Sequence, residues 1–438
     1  MGERDQISEL ADPILHYILS DHSTKVAFCT SILSKRWNYI WNRVPVLDFE
    51  NTICGLRNAS KVKKFMISVE KILRDRNQEA NIKKFTFKCR LYMKPSRVTS
   101  SISFLLKCNV EEMKLHLDSK SFSIIPASLF TSKSLISLHL KETKVTPRVG
   151  FPKYISLPKL KILTLNEITF TGKCEQLFAG CHVLEELNIW ECTFAMREFC
   201  ISAPLLKTLV IDNSKRHAAE MEDCILNIHA HGLLSLKYTT AVAKDYVLSN
   251  FVAPVEAHFL FSLTGDETME QKVNQNAAVS KLLGAFSHVK CLSVIAPPVH
   301  HLFVSEDLLN KLPTFHKLNR LELYHVTSDG TVIELLKVSP YLENLVFCLF
   351  VDEDYTDGDV EGFHTSFPHL KSVSFEVEDH DGHPRELRWM KLILKNAIAL
   401  EKMSICYDLE GLERRQEFME EIRNVPRASS VCLVEFSQ

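Results

Sequence analysis

Lys35 and Arg36 stand directly before Trp37, and Trp41 follows one helical turn later. Cations interleaved with aromatic rings can hold phosphate backbones and stack on bases. The same residue types fill a helix's apolar stripe or anchor a protein partner. His380-Asp381-Gly382-His383 sets two imidazoles at a spacing that a metal uses. It has no second ligand pair nearby, and a turn is the simpler reading. His300-His301, after Pro297-Pro298, reads as loop. The run from Asp352 to Asp359 has the carboxylates of a calcium loop, but its glycine falls one place late and no glutamate stands twelfth. It reads as a solvated loop, or equally as an acidic patch for a basic partner. There is no G-x-x-x-x-G-K-[ST], G-x-S-x-G or H-E-x-x-H. Only 13 glycines occur in 438 residues, too sparse for phosphate-cradling loops. The expectation is a protein with no catalytic residues, no metal ligands and no cofactor.

Composition narrows the class. A chain 46% hydrophobic and 24% charged is globular rather than disordered. Its net charge of −2 leaves no global footprint for nucleic acid. Lys61, Lys63, Lys64, Lys83 and Lys84 read as solvated edges. The 13 cysteines are odd in number and never spaced C-x-x-C, which suits reduced thiols serving as small core residues in the cytoplasm and/or nucleus. Asn58-Ala59-Ser60 matches a glycosylation sequon, but MGERDQ leads into no signal-like apolar stretch. Gln6 breaks the myristoylation pattern. The apolar run LVFCLFV, 345–351, is far short of the ~20 residues that span a bilayer. Neither a nucleic-acid nor a membrane partner is expected.

The Lys-Arg-Trp segment needs helices to position it. Asp12 suits an N-cap and Pro13 the first helical position, with Ile14, Leu15, Ile18 and Leu19 as an apolar stripe. Asp21-His22-Ser23 breaks the pattern. A second helix begins near Ser23 or Thr24 and carries Val26, Phe28, Ile32 and Leu33. Ser34 caps a third, which holds Trp37, Ile40, Trp41 and Val44 until Pro45 ends it. Val46-Leu47-Asp48-Phe49 then starts a strand. Three helices of about ten residues cannot bury so many large side chains among themselves. Part of the stripe must face a following domain or a partner.

The order of these signals resembles the F-box of plant F-box proteins. The match runs through Asp5, Ile7-Ser8, Leu10, Asp12, Leu15, Ile18-Leu19-Ser20, Thr24-Lys25, Ala27, Leu33-Ser34-Lys35-Arg36-Trp37, Trp41, Val44-Pro45 and Leu47-Asp48-Phe49. The resemblance implies docking on a Skp-type adaptor, and through it on a cullin–RING ubiquitin ligase. Leu10, Ala11, Ile14, Leu15, Ile18, Leu19, Leu33, Lys35, Arg36, Trp37 and Trp41 would form the adaptor-binding set, partly core and partly surface. Two departures stand out: Ala11 where the family has proline, and Asp21-His22-Ser23 where it has Phe-Leu-Pro. A large apolar side chain is worth roughly 1.5–3 kcal/mol when fully buried. The departures therefore point to weakened or lost adaptor binding.

From about residue 80 the pattern apolar-x-x-apolar-x-apolar recurs, with starts at 82, 110, 135, 160, 184, 206, 233, 255, 289, 318, 342, 370 and 400. The mean interval of about 26 residues lies within the ~20–29 of leucine-rich repeats. The copy at Val255 reads as degenerate, with His258 at its middle apolar position. Alternate strand residues point inward, and stacking supplies the core that one repeat lacks. Cys192 fits the Asn/Cys position of such repeats, whereas Thr143, Ile168, Ser214 and Val326 occupy its equivalents, so no asparagine ladder is expected. LTLNEITF and LNIWECTF are similar to segments of plant F-box solenoids. Residues 392–403, Pro426-Arg427-Ala428-Ser429-Ser430 and Cys432-Leu433-Val434-Glu435-Phe436 resemble the FBD region that follows those repeats, with a polar helix at 411–424 shielding the last repeat.

The expected fold is α/β. A three-helix F-box at 1–50 leads through a helical linker or N-terminal cap at 51–80 into a leucine-rich-repeat solenoid (horseshoe) at 81–365. An FBD-like cap with terminal repeats fills 366–438. The implied function is that of a substrate receptor in a Skp–cullin–F-box ubiquitin ligase, a non-catalytic subunit acting by proximity. Its unknown protein substrate would lie on the strand face, where alternation exposes His139, Thr164, Asn188, Thr208, Glu322 and Asn344. The alternative is a repeat scaffold whose degenerate F-box no longer engages the ligase. A small-molecule co-receptor is disfavoured, because no basic pocket for an inositol-phosphate-like cofactor is evident.

Overall fold

The computed structural model describes residues 7, 9–49, 59–76, 81–89, 95–117, 125–142, 151–171, 175–214, 221–249, 251–252, 254–262, 268–295, 312–324, 326, 329–348, 366–377, 384–407 and 412–437. By contacts the chain divides into two units, Met1–Leu206 and Lys207–Gln438.

The first unit opens with helices Asp12–Ser20 and Thr24–Cys29, a 3-10 turn Thr30–Ile32 and helix Lys35–Trp41. Ala11, not Asp12, is the N-cap, and its carbonyl accepts from the N–H groups of Ile14 at 3.0 Å and Leu15 at 3.2 Å. Asp12 turns its carboxylate to Arg36 instead. Ile32 and Leu33 lie beyond the second helix, in the turn before the third. Ser34 caps the third helix, its hydroxyl accepting from Trp37 N–H at 3.3 Å. That helix stops at Trp41, ahead of Val44 and Pro45. Val44 is nonetheless buried, because a turn bond from its N–H to Trp41 O folds it inward.

Strand Val46–Phe49 follows directly and pairs parallel with Lys84–Cys89. It is thus a rung of the ladder. Thr24 Oγ1 accepts from the Asp48 N–H at 2.6 Å, fastening the second helix to that rung. Strands Glu112–Leu117, Ser137–Glu142, Ile162–Asn166 and Glu186–Trp190 continue in parallel. Two rows run across the rungs: Leu47, Phe85, Met113, Leu138, Leu163 and Leu187, then Phe49, Phe87, Leu115, Leu140, Leu165 and Ile189. Every member is buried. The two-residue strand period sends both rows to one side, where helices Ala59–Asp75 and Pro95–Lys107 supply Val69, Val98 and Leu105.

The second unit repeats the scheme with parallel strands Thr208–Asp212, Ser235–Ala241, Glu256–Ser262, Cys291–Ile295, Arg320–Tyr324, Asn344–Cys348, Ser372–Val377, Lys402–Tyr407 and Leu433–Ser437. Its inward rows run from Leu209 to Val434 and from Ile211 to Phe436. The repeat near Val255 differs from the sequence expectation. Ala257 and Phe259 are the inward pair and His258 points outward in register with Lys237 and Ser293. The copy starts at buried Pro254, one residue earlier than expected, and is intact. Its small inward alanine hid it. Helices Met269–Ala285, Asp329–Lys337, Pro384–Asn396 and Leu412–Arg423 connect the strands. The architecture is therefore mixed α/β. Among the described residues, pairing closes neither ladder into a barrel.

Candidate functional site

The N-terminal helices sort their large side chains by face. Leu15, Leu19, Trp37 and Trp41 are buried, together with Ile40. Trp41 meets Phe28 edge-on at 5.0 Å, and its indole N–H donates to Asn38 Oδ1 at 2.9 Å. Arg36 is held by its own fold: Nη2 donates to Asp12 Oδ1 at 2.8 Å and also to Leu10 O. This clamp fixes the half-buried Leu10 and leaves Arg36 engaged within the chain. Lys35 and Ala11 are exposed.

The opposite face is apolar and open. Ile14, Ile18 and Leu33 of the expected set are exposed. So are Ile32, at 86%, and Tyr17, at 80%. Val26 and Tyr39 add to the apolar exposure of these helices, with Arg43 4.5 Å over the Tyr39 ring. Tyr17 and Tyr39 were not singled out from the sequence. The signal was present, since Ile14, Tyr17 and Ile18 recur at i, i+3 and i+4. A helix carrying that set beside Leu15 and Leu19 is apolar over more of its surface than one buried stripe needs.

The outward face of each ladder is the second surface. In the first unit one outward row is Asp48, Thr86, Lys114, His139, Thr164 and Asn188. His139, Thr164 and Asn188 are thus brought together on adjacent rungs. Thr164 and Asn188 are largely covered there, Asn188 Nδ2 reaching Glu186 Oε1 at 2.6 Å and Thr164 Oγ1 at 3.4 Å. His139 packs against His116 at 5.3 Å and against Trp190 at 6.3 Å. In the second unit, Thr208 and Asn344 share one outward row with Ser235, Glu256, Cys291 and Arg320. Glu322 belongs to the neighbouring row and accepts from Arg320 Nε at 2.7 Å. Asn344 Nδ2 donates to Asn319 O at 3.4 Å.

Burial, then the Glu322 carboxylate, pushes the Cys291 thiol up to about 11, and burial pushes Cys181 up to about 12. Both are neutral thiols, not nucleophiles, near pH 7. Among the described residues no group of three His, Cys, Asp or Glu side chains is arranged to hold a metal. None of the described helices is long and apolar enough to cross a membrane. The acidic run 352–359, His380 and His383, His300-His301 and Asn58 lie outside the described residues.

Comparison with known proteins places this arrangement. Residues 98–230 match the family described as FBD-associated F-box protein At5g56370, LRR repeats. F-box/LRR-repeat protein At3g59190 of Arabidopsis thaliana is 30% identical over 371 residues, which is 79% of this chain and 93% of that protein. F-box/LRR-repeat protein At4g14096, from the same plant, is 29% identical over 99% of this chain and 95% of its own length. F-box/LRR-repeat protein At2g42730, also from Arabidopsis thaliana, is 28% identical over 99% of this chain and 98% of its own.

Proposed function

The chain belongs to the plant F-box/LRR-repeat family with FBD-associated repeats, and from that premise we propose that it is a substrate receptor of a Skp–cullin–F-box ubiquitin ligase. In this reading the three N-terminal helices dock on a Skp-type adaptor, and the ladders of a leucine-rich-repeat horseshoe hold a protein substrate. The chain supplies no reacting group. It acts by raising the concentration of bound substrate beside the ligase.

One observation carries the reading: Ile14, Tyr17 and Ile18 on the first helix, with Ile32 and Leu33 in the turn before the third, stand exposed while Leu15, Leu19, Trp37 and Trp41 are buried. A cluster of large exposed apolar side chains marks a protein contact. The same helices run into the first rung of the ladder through Thr24 and Asp48, so a partner held there would be tied to the repeat face. Trp190, exposed beside the half-buried His139 and His116, is the kind of aromatic side chain that anchors a protein substrate.

The test is co-expression with plant Skp-type adaptors, followed by a Kd. Binding by the wild-type chain is expected, and tight binding would support this reading. Ile32→Asp with Leu33→Asp should weaken it by about a hundredfold or more, while denaturant stability stays within ~0.5 kcal/mol. A second reading is a repeat scaffold outside the ligase, favoured by exposed Ala11, Asp21 and His22. It prevails if the wild-type chain binds no adaptor and restoring proline at 11 with Phe-Leu-Pro at 21–23 creates binding.

A further inference from the structure

The unit Met1–Leu206 also holds a cavity of about 560 Å³ between helix Thr24–Cys29, the end of strand Val46–Phe49 and helix Ala59–Asp75. Its floor is apolar, formed by Phe28, Phe65, Val69 and Ile72. Phe49 stands edge-on to Phe65 at 6.3 Å and closes the inner end. Lys25, Lys64 and Lys71 stand at the rim, all exposed, and among the described residues no carboxylate lines the cavity. Glu70, beside Lys71 in sequence, is taken by Arg97 at 3.2 Å. Among the described residues none of these three ammonium groups has an ion-pair partner.

Scattered lysines are ordinarily just solvated. These three ring an apolar hollow whose size falls within the ~300–1,000 Å³ of small-molecule sites. Apolar walls would take the body of a ligand, and the rim would favour negative charge beside a low-dielectric interior. Neutral or cationic ligands would gain the floor without the rim.

We propose that this cavity binds a small anionic amphiphile, with a hydrocarbon or aromatic body against Phe28, Phe65, Val69 and Ile72 and an acid group at Lys25, Lys64 and Lys71. The cavity lining shares no residue with the exposed Ile14, Tyr17, Ile18, Ile32 and Leu33 assigned to the adaptor, and its occupancy does not depend on that assignment.

The test uses the full chain and exploits Cys29, an exposed thiol lining the cavity. Decanoate, below its micelle-forming concentration, should slow Cys29 alkylation saturably by peptide mass spectrometry. Exposed Cys406, in the other unit, should keep its rate. Decyltrimethylammonium has the same tail and the opposite charge, and should protect about tenfold less well. Ser68→Trp places a ring at the mouth from an exposed helix position and should abolish protection. Lys64→Glu with Lys71→Glu is a purely surface change and should weaken decanoate about tenfold or more. Absence of protection, equal protection by the two amphiphiles, or full protection in a folded Lys64→Glu/Lys71→Glu chain overturns the assignment. So does failure of decanoate combined with loss of adaptor binding in Ser68→Trp, which would make the hollow a protein contact.

Discussion

Arg385 Nε donates to Asp329 Oδ1 at 2.9 Å, and both side chains are sealed from solvent. Trp389 Nε1 donates to the same oxygen at 2.8 Å, and Arg385 Nη1 donates to Val326 O at 2.6 Å. Helix Pro384–Asn396 is thereby fixed to the first turn of helix Asp329–Lys337, where a carboxylate also suits the helix dipole. Helix Pro384–Asn396 is keyed into the core of its unit by this pair.

Asp329→Ala should therefore cost about 3–5 kcal/mol, because it strands a buried guanidinium. Asp329→Leu combined with Arg385→Met should recover most of that loss, since an apolar pair replaces an ionic one. Denaturant unfolding of the two variants against the wild-type chain decides it. A loss below ~1 kcal/mol for the single variant would show that the pair contributes little to holding the helices.

No local pattern announces such a pair. Asp329 and Arg385 are 56 residues apart, and nothing in either neighbourhood names the other. The ladder was legible because period-2 strands repeat at nearly constant spacing, so Leu138, Leu163 and Leu187 align by counting alone. Counting slipped at Ala257, where the inward side chain is too small to register as core. In the N-terminal helices the sequence put Ile14, Leu15, Ile18 and Leu19 on one stripe. Packing then split it, with Leu15 and Leu19 inward and Ile14 and Ile18 outward. That split depends on where Trp37 and Trp41 sit, which periodicity does not state. The cavity under Lys25, Lys64 and Lys71 joins elements about forty residues apart and has no sequence signature.

Ala11 tests the proline departure separately from its effect on a partner. Its φ of −65° and ψ of 146° are already those of proline, and none of the described hydrogen bonds uses its N–H. Ala11→Pro should raise stability by about 0.4–1 kcal/mol by restricting the unfolded chain. Thermal unfolding of the purified protein reads this directly. A lower midpoint would mean that the Leu10 turn cannot precede proline.

Two glycines predict opposite signs. A Cβ at Gly180 would sit 2.4 Å from Ile155 O, a backbone atom that cannot swing aside. Leu157 N–H also donates to Gly180 O at 2.9 Å, so the two segments are pinned together. Gly180→Ala should cost about 1–3 kcal/mol. A Cβ at Gly284, in the last turn of helix Met269–Ala285, meets nothing within 4 Å. Gly284→Ala should stabilise by about 0.5–1 kcal/mol. Equal signs from denaturant unfolding would refute the packing account at Gly180.

The last prediction concerns pH. Burial of Asp212 opposes its charge, but hydrogen bonds from Lys237 at 2.9 Å and from Ser214 N–H at 3.2 Å outweigh it and hold its pKa below the usual carboxylate value. A carboxyl whose folded pKa is depressed stabilises the fold above its unfolded pKa of about 3.9. That contribution fades as pH falls through the lower folded value. Lys237 is half-exposed, so water and salt screen the pair, and its worth is about 0.2–1 kcal/mol. Asp212→Asn should therefore lower the denaturant midpoint at pH 7, and the gap to wild type should narrow as pH falls below the unfolded value and Asp212 takes up its proton. High salt should narrow it at pH 7 as well. A gap of the same size at pH 7 and below the unfolded value would mean that the Asp212 charge does not hold the rung, and that the hydrogen bonds alone do.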